Sequence, residues 1–129
     1  MSNSQKAQKY LIAAHAGAFL LFGVVVAALL EAPDFVMGLF VGMLLAIVVL
    51  LFRSKLRDEY IERLWNAGTA AALLATLFAT LGVELIHGFA DQQADVFETA
   101  PLLSPANVGL IALAAFFSGF HLKLLRERA

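Results

Sequence analysis

Residues Arg53 to Arg63 read RSKLRDEYIER, a stretch of eleven residues of which seven are charged. It is the densest charge cluster in the chain, and apolar blocks lie on both sides of it. Charged side chains are costly in the bilayer core, so we predict that this stretch is a cytoplasmic hairpin between membrane-spanning helices. The i,i+4 spacing of Glu59 and Arg63 predicts helix through much of the hairpin.

The rest of the chain has a composition typical of a membrane protein. Of its 129 residues, 61% are hydrophobic and 15% are charged, and the mean hydropathy is +0.83. Soluble domains are on average about half apolar and about a quarter charged. The chain has no cysteine, which excludes disulfides, thiolate metal sites and cysteine nucleophiles.

Four apolar segments are long enough to cross a bilayer, which takes about 20 helical residues. They cover residues 10–30, 35–52, 64–89 and 106–124, with a tight acidic turn after the first segment and an outer loop over 91–105. The first segment exceeds the apolar core of a signal peptide, about 7 to 15 residues, so we interpret it as a span. The sequence predicts an all-α integral membrane protein, a single domain over 1–129 with four transmembrane helices in an antiparallel up-down bundle.

The basic residues predict the orientation of the bundle. All nine lysines and arginines lie before the first span, in the 53–63 hairpin, or at the end of the fourth span and beyond it. The opposite side carries acids only, namely Glu31, Asp34, Asp91, Asp95 and Glu98. By the positive-inside rule we predict a multi-pass protein of a bacterial inner membrane with both termini in the cytoplasm. Tyr10, Tyr60 and Trp65 fall where an aromatic belt is expected on the inner side.

Helical periodicity separates the third span into three faces. The bulky face is predicted to contact lipid and contains Leu74, Phe78, Leu81 and Leu85. The small-residue face is predicted to pack closely against a neighbouring helix and contains Gly68, Ala72, Ala75, Ala79 and Gly82. The second span adds a Gly-x-x-x-Gly pair, Gly38 and Gly42, which is a weaker packing signal.

The polar face of the third span contains the candidate ion-binding residues. A carboxylate inside a span costs at least about 2.5 kcal/mol near the bilayer centre, which makes Glu84 a functional hypothesis. With it we group His87, Thr80, Thr76, Thr69 and, from the fourth span, Asn107. The alternative is that Glu84 is hydrated near the outer surface and that the threonines donate to carbonyls of their own helix. The spacing Glu84-x-x-His87 suits a metal helix, but the chain has one copy where a di-metal site needs two. The alternative is a single divalent ion shared with Glu31 or with a second subunit, and the identity of the metal stays open.

Two histidines near the inner surface form a second candidate site. His15 and His121 approach each other if the first and fourth spans are neighbours, as in an up-down bundle. Paired imidazoles can ligate haem iron or relay protons. The alternative is that each histidine bonds a backbone carbonyl or a lipid headgroup.

Three functional hypotheses follow. The first is an integral inner-membrane protein without enzymatic activity, which packs as a homo-oligomer or as an accessory subunit of a membrane complex. The second is a minimal proton- or cation-coupled transporter or channel that uses Glu84 and His87. The third is a haem or metal carrier that uses His15 and His121. We predict no cofactor, with haem b or a divalent cation as alternatives. The expected partners are the lipid bilayer and the chain itself or another membrane protein, and no nucleic-acid signature is present.

Overall fold

A computed structural model describes residues 2–53, 57–90 and 105–129 of the chain, without the side chains of residues 3, 83–90, 105 and 106. These residues form helices α1 (Asn3–Leu29), α2 (Asp34–Phe52), α3 (Glu59–Ala90) and α4 (Pro105–Arg128). Each helix contains a segment long and apolar enough to cross a membrane. The predicted all-helical class with four apolar helices is therefore confirmed. Most of the predicted outer loop, 91–104, lies outside the described residues.

The chain forms two compact units, Met1–Asn66 and Ala67–Ala129. The first unit contains α1, α2 and the beginning of α3, and the second contains the rest of α3 and α4. Each unit is described by itself below.

Helix α1 begins before the predicted span because a polar cap starts it. The Ser2 hydroxyl accepts from the backbone N–H of Gln5, and the Gln5 side chain accepts from the backbone N–H of Ser2. This reciprocal capping box satisfies N–H groups that have no partner within the helix. Further along, residues spaced alternately by four and three are buried, namely Tyr10, Ala14, Gly17, Leu21 and Val24. That spacing gives α1 one continuous packing seam.

The turn between α1 and α2 is tight because the chain reverses through one left-handed residue. Glu31 has φ +50°. The N–H of Ala32 donates to the carbonyl of Ala27 at 2.9 Å, and the N–H of Glu31 donates to that of Ala28 at 3.3 Å. These two bonds are the pattern with which a glycine commonly ends a helix. Here a glutamate occupies the left-handed position, where a side chain is strained.

Helices α1 and α2 pack as an antiparallel hairpin. Near the turn, Phe40 contacts Gly23, where an added Cβ would lie 2.8 Å from the ring. At the other end, the hydroxyl of Tyr10 donates to the carbonyl oxygen of Leu51 at 3.1 Å. Contacts near both ends of the two helices define their direction and register.

The described part of the charged hairpin is helical from Glu59 onward, and residues 54–56 lie outside the described residues. Helix α2 ends at Phe52, and Arg57 and Asp58 lie outside regular structure. The Asp58 carboxylate accepts from the backbone N–H of Ile61 at 2.8 Å, so it caps the start of α3. The predicted ion pair between Glu59 and Arg63 is present at 2.8 Å within the first turns of α3. Asp58 thus starts a new helix at this point. The pairing of Glu59 with Arg63, from which helix was predicted, supports only the part of the hairpin that follows Asp58.

In the second unit, α3 and α4 approach closely at glycines. An added Cβ on Gly68 would lie 2.9 Å from the carbonyl oxygen of Phe116, and one on Gly119 would lie 2.9 Å from that of Ala67. Phe116 is buried beside Phe117 and Phe120. The bulky α3 residues predicted to contact lipid are exposed as far as they are described, at Leu74, Phe78 and Leu81.

Candidate functional site

The predicted ion-binding residues lie along α3 and at the start of α4. The hydroxyl of Thr76 donates to the carbonyl of Ala72 at 2.8 Å, and that of Thr80 donates to the carbonyl of Thr76 at 2.8 Å. Both hydroxyl protons are therefore used within α3, which leaves only oxygen lone pairs for a ligand.

The other members of this set are less fully described. Thr69 and Asn107 are half-buried, and each has an interaction partner. Glu84 and His87 belong to the helical backbone of α3, but their side chains lie outside the described residues. The proposed pairing of a carboxylate with an imidazole at the end of α3 thus stays a prediction.

The two remaining histidines make the same local bond in different units. Nδ1 of His15 lies 2.7 Å from the carbonyl oxygen of Leu11, and Nδ1 of His121 lies 2.8 Å from that of Phe117. A carbonyl only accepts, so Nδ1 must carry the proton in both rings. In the neutral form, Nε2 is then the nitrogen with the lone pair, which is the arrangement usual for metal-ligating histidines. His15 belongs to the first unit and His121 to the second, so their pairing stays a prediction.

His121 has an aromatic environment in the second unit. Its ring centroid lies 5.6 Å from that of Phe120, with the two planes at 61°, and 6.5 Å from that of Phe117. The contact with Phe120 is edge-to-face, and the two ring contacts together restrict the orientation of the imidazole.

The small residues predicted to mediate packing fall into two groups. Gly68 is buried against Phe116, as described above. Added Cβ atoms on Gly38, Gly42 and Gly82 would meet nothing within 4 Å. Ala72, Ala75 and Ala79 are half-buried along α3.

Sequence reasoning missed a cluster that joins the ends of α1 and α2 to α3. The Arg57 guanidinium donates from Nη2 to the carbonyl of Phe52 at 2.9 Å and lies 4.2 Å from the ring centroid of Trp65. The rings of Phe52 and Trp65 meet edge-to-face at 5.1 Å. Tyr10, which the sequence predicts to lie in an interfacial belt, is buried, and its hydroxyl donates to the carbonyl of Leu51. Residues 10 and 51 are equally far from the turn between α1 and α2, so an antiparallel hairpin brings them side by side. The sequence alone therefore contained the signal for this contact.

The cluster satisfies the end of α2. The last carbonyls of a helix have no partner within it and carry partial negative charge. A tyrosine hydroxyl occupies one of these carbonyls and an arginine guanidinium occupies another. This arrangement fixes the helix end against the following segment.

An open apolar groove of about 390 Å³ lies between α1 and α2 near their turn. Its walls contain no charged residue and consist of Phe19, Phe22, Gly23, Val26, Ala27, Leu30, Ala32, Val36 and Phe40. Since the lining offers no polar side chain, the groove suits only apolar groups such as lipid chains.

Within the described residues, no group of three or more His, Asp or Glu side chains is placed to hold a metal ion. Comparisons with protein-family models, with curated proteins and with solved structures found no match to this chain.

Proposed function

We propose that this chain is an integral membrane protein without enzymatic activity that assembles with a second copy of itself through α2. The observation that carries the proposal is the open space at Gly38 and Gly42, where an added Cβ meets nothing within 4 Å. Small-x-x-x-small pairs allow two helix backbones to approach closely in a bilayer, where van der Waals packing drives association.

The glycine pair lies on the side of α2 that faces away from α1. Phe40 contacts α1, and Leu44 is buried. Phe40 follows Gly38 by two residues and Leu44 follows Gly42 by two, which is about 200° around a helix. Thus α1 covers one side of α2 and leaves the glycine side for another helix.

A second copy is the occupant that this surface fits best. A twofold interface places the same patch of both subunits in contact, and a Gly-x-x-x-Gly pair can pack against its own copy in that way. Both partners then contribute the same short residues, so neither backbone is held away by a side chain.

The oligomeric state of the full chain tests the proposal. Gly38→Ile and Gly42→Ile keep α2 apolar but place branched side chains at the contact. We expect the wild type to be dimeric in mild detergent, by light scattering and by energy transfer in vesicles, and both variants to be monomeric. Gly109→Ile is the matched control, since an added Cβ there also meets nothing within 4 Å.

A monomeric wild type would refute self-assembly. If the monomer co-purified in fixed proportion with another membrane protein, and Gly42→Ile abolished that association, the accessory-subunit alternative would replace it. Equal dimerisation of all three variants would show that the contact lies elsewhere.

We further propose an up-down bundle in a bacterial inner membrane with both termini in the cytoplasm. The grouping of all nine basic residues supports this orientation. Since the chain has no cysteine, single cysteines at Ser2, Ala32 and Ala129 can be labelled without background. A membrane-impermeant maleimide applied from outside the inner membrane should label Ala32→Cys only. Labelling of either terminus would refute the orientation.

The transport alternative has less support from the polar face of α3. Thr76 and Thr80 donate to their own helix, which is how such hydroxyls are satisfied without contacting water. If the chain nevertheless moves protons or cations, Glu84→Gln should abolish pH-driven flux in proteoliposomes. Flux that is unchanged in this variant would remove Glu84 from the mechanism.

The haem-carrier alternative also has less support, because His15 and His121 each bond a backbone carbonyl of their own helix, which satisfies a histidine without a ligand. Each Nδ1 bond to a carbonyl leaves Nε2 as the coordinating nitrogen of the neutral ring. A haem absorption band in protein purified from haem-supplied cells, lost in His15→Ala and in His121→Ala, would support it. Colourless protein from the same cells would refute it.

A further inference from the structure

The α1–α2 hairpin has a basic end, which we define by Lys6, Arg53 and Arg57. The register set by Tyr10 and Leu51 places these residues at the same end of the hairpin. Lys6 lies one helical turn before Tyr10, and Arg53 follows Leu51 by two residues. Three cations therefore gather where the two helices leave the apolar region.

The neighbouring segment has three acids, Asp58, Glu59 and Glu62, and two of them are used elsewhere. Asp58 caps the start of α3 through the N–H of Ile61, and Glu59 pairs with Arg63. Among the described residues, no carboxylate forms an ion pair with any of the three cations of the basic end. None of the three cations is thus held in an ion pair within the described part of the chain.

One of the cations is held in place. The Arg57 guanidinium is fixed by the ring of Trp65 at 4.2 Å and by the carbonyl of Phe52 at 2.9 Å. It makes no other described hydrogen bond, and its buried Nε has no partner among the described residues. A guanidinium that is already oriented loses less conformational entropy when it binds an anion.

We propose that the basic end binds the phosphate group of an anionic phospholipid. Phosphate is the anion that arginine and lysine recognise at membrane surfaces, where each basic residue strengthens the attraction by about 1 kcal/mol. Phe52 precedes Arg53 in the chain, is 63% exposed and offers an apolar surface to the acyl chains. A lipid matches both features, since its charged head and apolar chains are joined in one molecule.

Trp65 provides a local signal for binding, since it is the only tryptophan and lies against Arg57. The full-length chain in dodecyl maltoside micelles would be titrated with phosphatidylglycerol or with phosphatidylcholine. We expect a saturable change in Trp65 fluorescence with phosphatidylglycerol and none with phosphatidylcholine. Higher salt should weaken the binding, because exposed charges are screened.

Variants separate a site from diffuse surface charge. Arg53→Gln and Lys6→Gln should each weaken phosphatidylglycerol binding about fivefold. Arg63→Gln removes the same charge from the same side of the membrane, but Arg63 is paired with Glu59, so the affinity should change less than about twofold. If Arg63→Gln weakened binding as much as Arg53→Gln, or if the two lipids bound equally, the site would be refuted.

Further titrations identify the source of the phosphate. Inorganic phosphate and glycerol phosphate have the same charged group without acyl chains, and we expect them to bind at least tenfold more weakly than the lipid. Equal affinity would assign the site to a free phosphate and overturn the lipid. An acidic peptide that bound while phosphatidylglycerol did not would assign it to a protein partner and also overturn it.

Discussion

Replacing Gly68 by alanine should loosen the contact between α3 and α4. The new Cβ would lie 2.8 Å from two ring carbons of Phe116 and 2.9 Å from its carbonyl oxygen. The ring can turn aside, but the oxygen moves only with the backbone of α4. Carbon and carbonyl oxygen atoms rest at about 3.3–3.6 Å, so the helices must separate or the methyl group must remain compressed.

The expected cost can be isolated by comparison with a second glycine of the same helix. Overpacking of a tight contact costs about 1–3 kcal/mol, whereas alanine gains up to about 1 kcal/mol over glycine in a helix interior. Gly82→Ala receives the same gain without the clash, because its added Cβ meets nothing within 4 Å. The helix propensity cancels in the difference, so Gly68→Ala should be less stable than Gly82→Ala by about 1–3 kcal/mol.

The free energy of unfolding would be measured for the full chain by titration with sodium dodecyl sulfate in mixed micelles, followed by far-ultraviolet circular dichroism. A double variant adds a test of locality, since an added Cβ on Gly119 would lie 2.7 Å from that of Ala71 at the same contact. Once Gly68→Ala has separated the helices, Gly119→Ala should cost less than it does alone. Equal stability of Gly68→Ala and Gly82→Ala would refute the reasoning.

Three further predictions use the same unfolding assay. Glu31→Gly should stabilise the chain by about 1 kcal/mol because glycine adopts the left-handed backbone at this position without strain. Ala32→Gly is the control and should give no gain, so an equal gain in both variants would contradict the strain at Glu31. Tyr10→Phe should destabilise it by about 1 kcal/mol because a buried hydroxyl loses its bond to a carbonyl of α2, and no change would show that this bond is dispensable. Gly23→Ala should destabilise the chain by about 1–3 kcal/mol, since the ring of Phe40 lies 2.8 Å from the new Cβ. Adding Phe40→Leu should restore part of the lost stability, and the absence of this rescue would place the strain elsewhere.

Much of the fold was predictable because the bilayer limits the choices. A run of about 20 apolar residues has few alternatives to a helix, and all backbone groups must be bonded internally. Helix ends were less predictable, since hydropathy reports where lipid begins rather than where helix begins. Helix α1 extends back to Asn3 because Ser2 and Gln5 cap it, and α3 extends back to Glu59 because Asp58 caps it.

The contacts between helices were not predictable from periodicity alone. Periodicity grouped Gly68 and Gly82 on one face of α3, yet an added Cβ on Gly68 clashes with α4 and one on Gly82 meets nothing within 4 Å. A helical face states which residues share a direction, but the neighbour's position along the axis decides which of them is in contact. The same limit hid the cluster of Arg57 and Trp65, since its parts are separated in the sequence by a helix start.

A polar side chain inside a membrane span can reach a backbone carbonyl of its own helix, whichever face it lies on. His15, Thr76, Thr80 and His121 each bond the carbonyl four residues earlier, so a polar stripe is not by itself evidence of a water-filled path. After donating to a carbonyl, an imidazole still has its second nitrogen and a hydroxyl still has its lone pairs. An ionised carboxylate cannot make this bond at all, because it has no proton to donate. Glu84 therefore cannot be satisfied by the carbonyls of its own helix unless it is protonated. Its substitution by glutamine, which supplies the missing donors, separates a functional charge from a merely tolerated one.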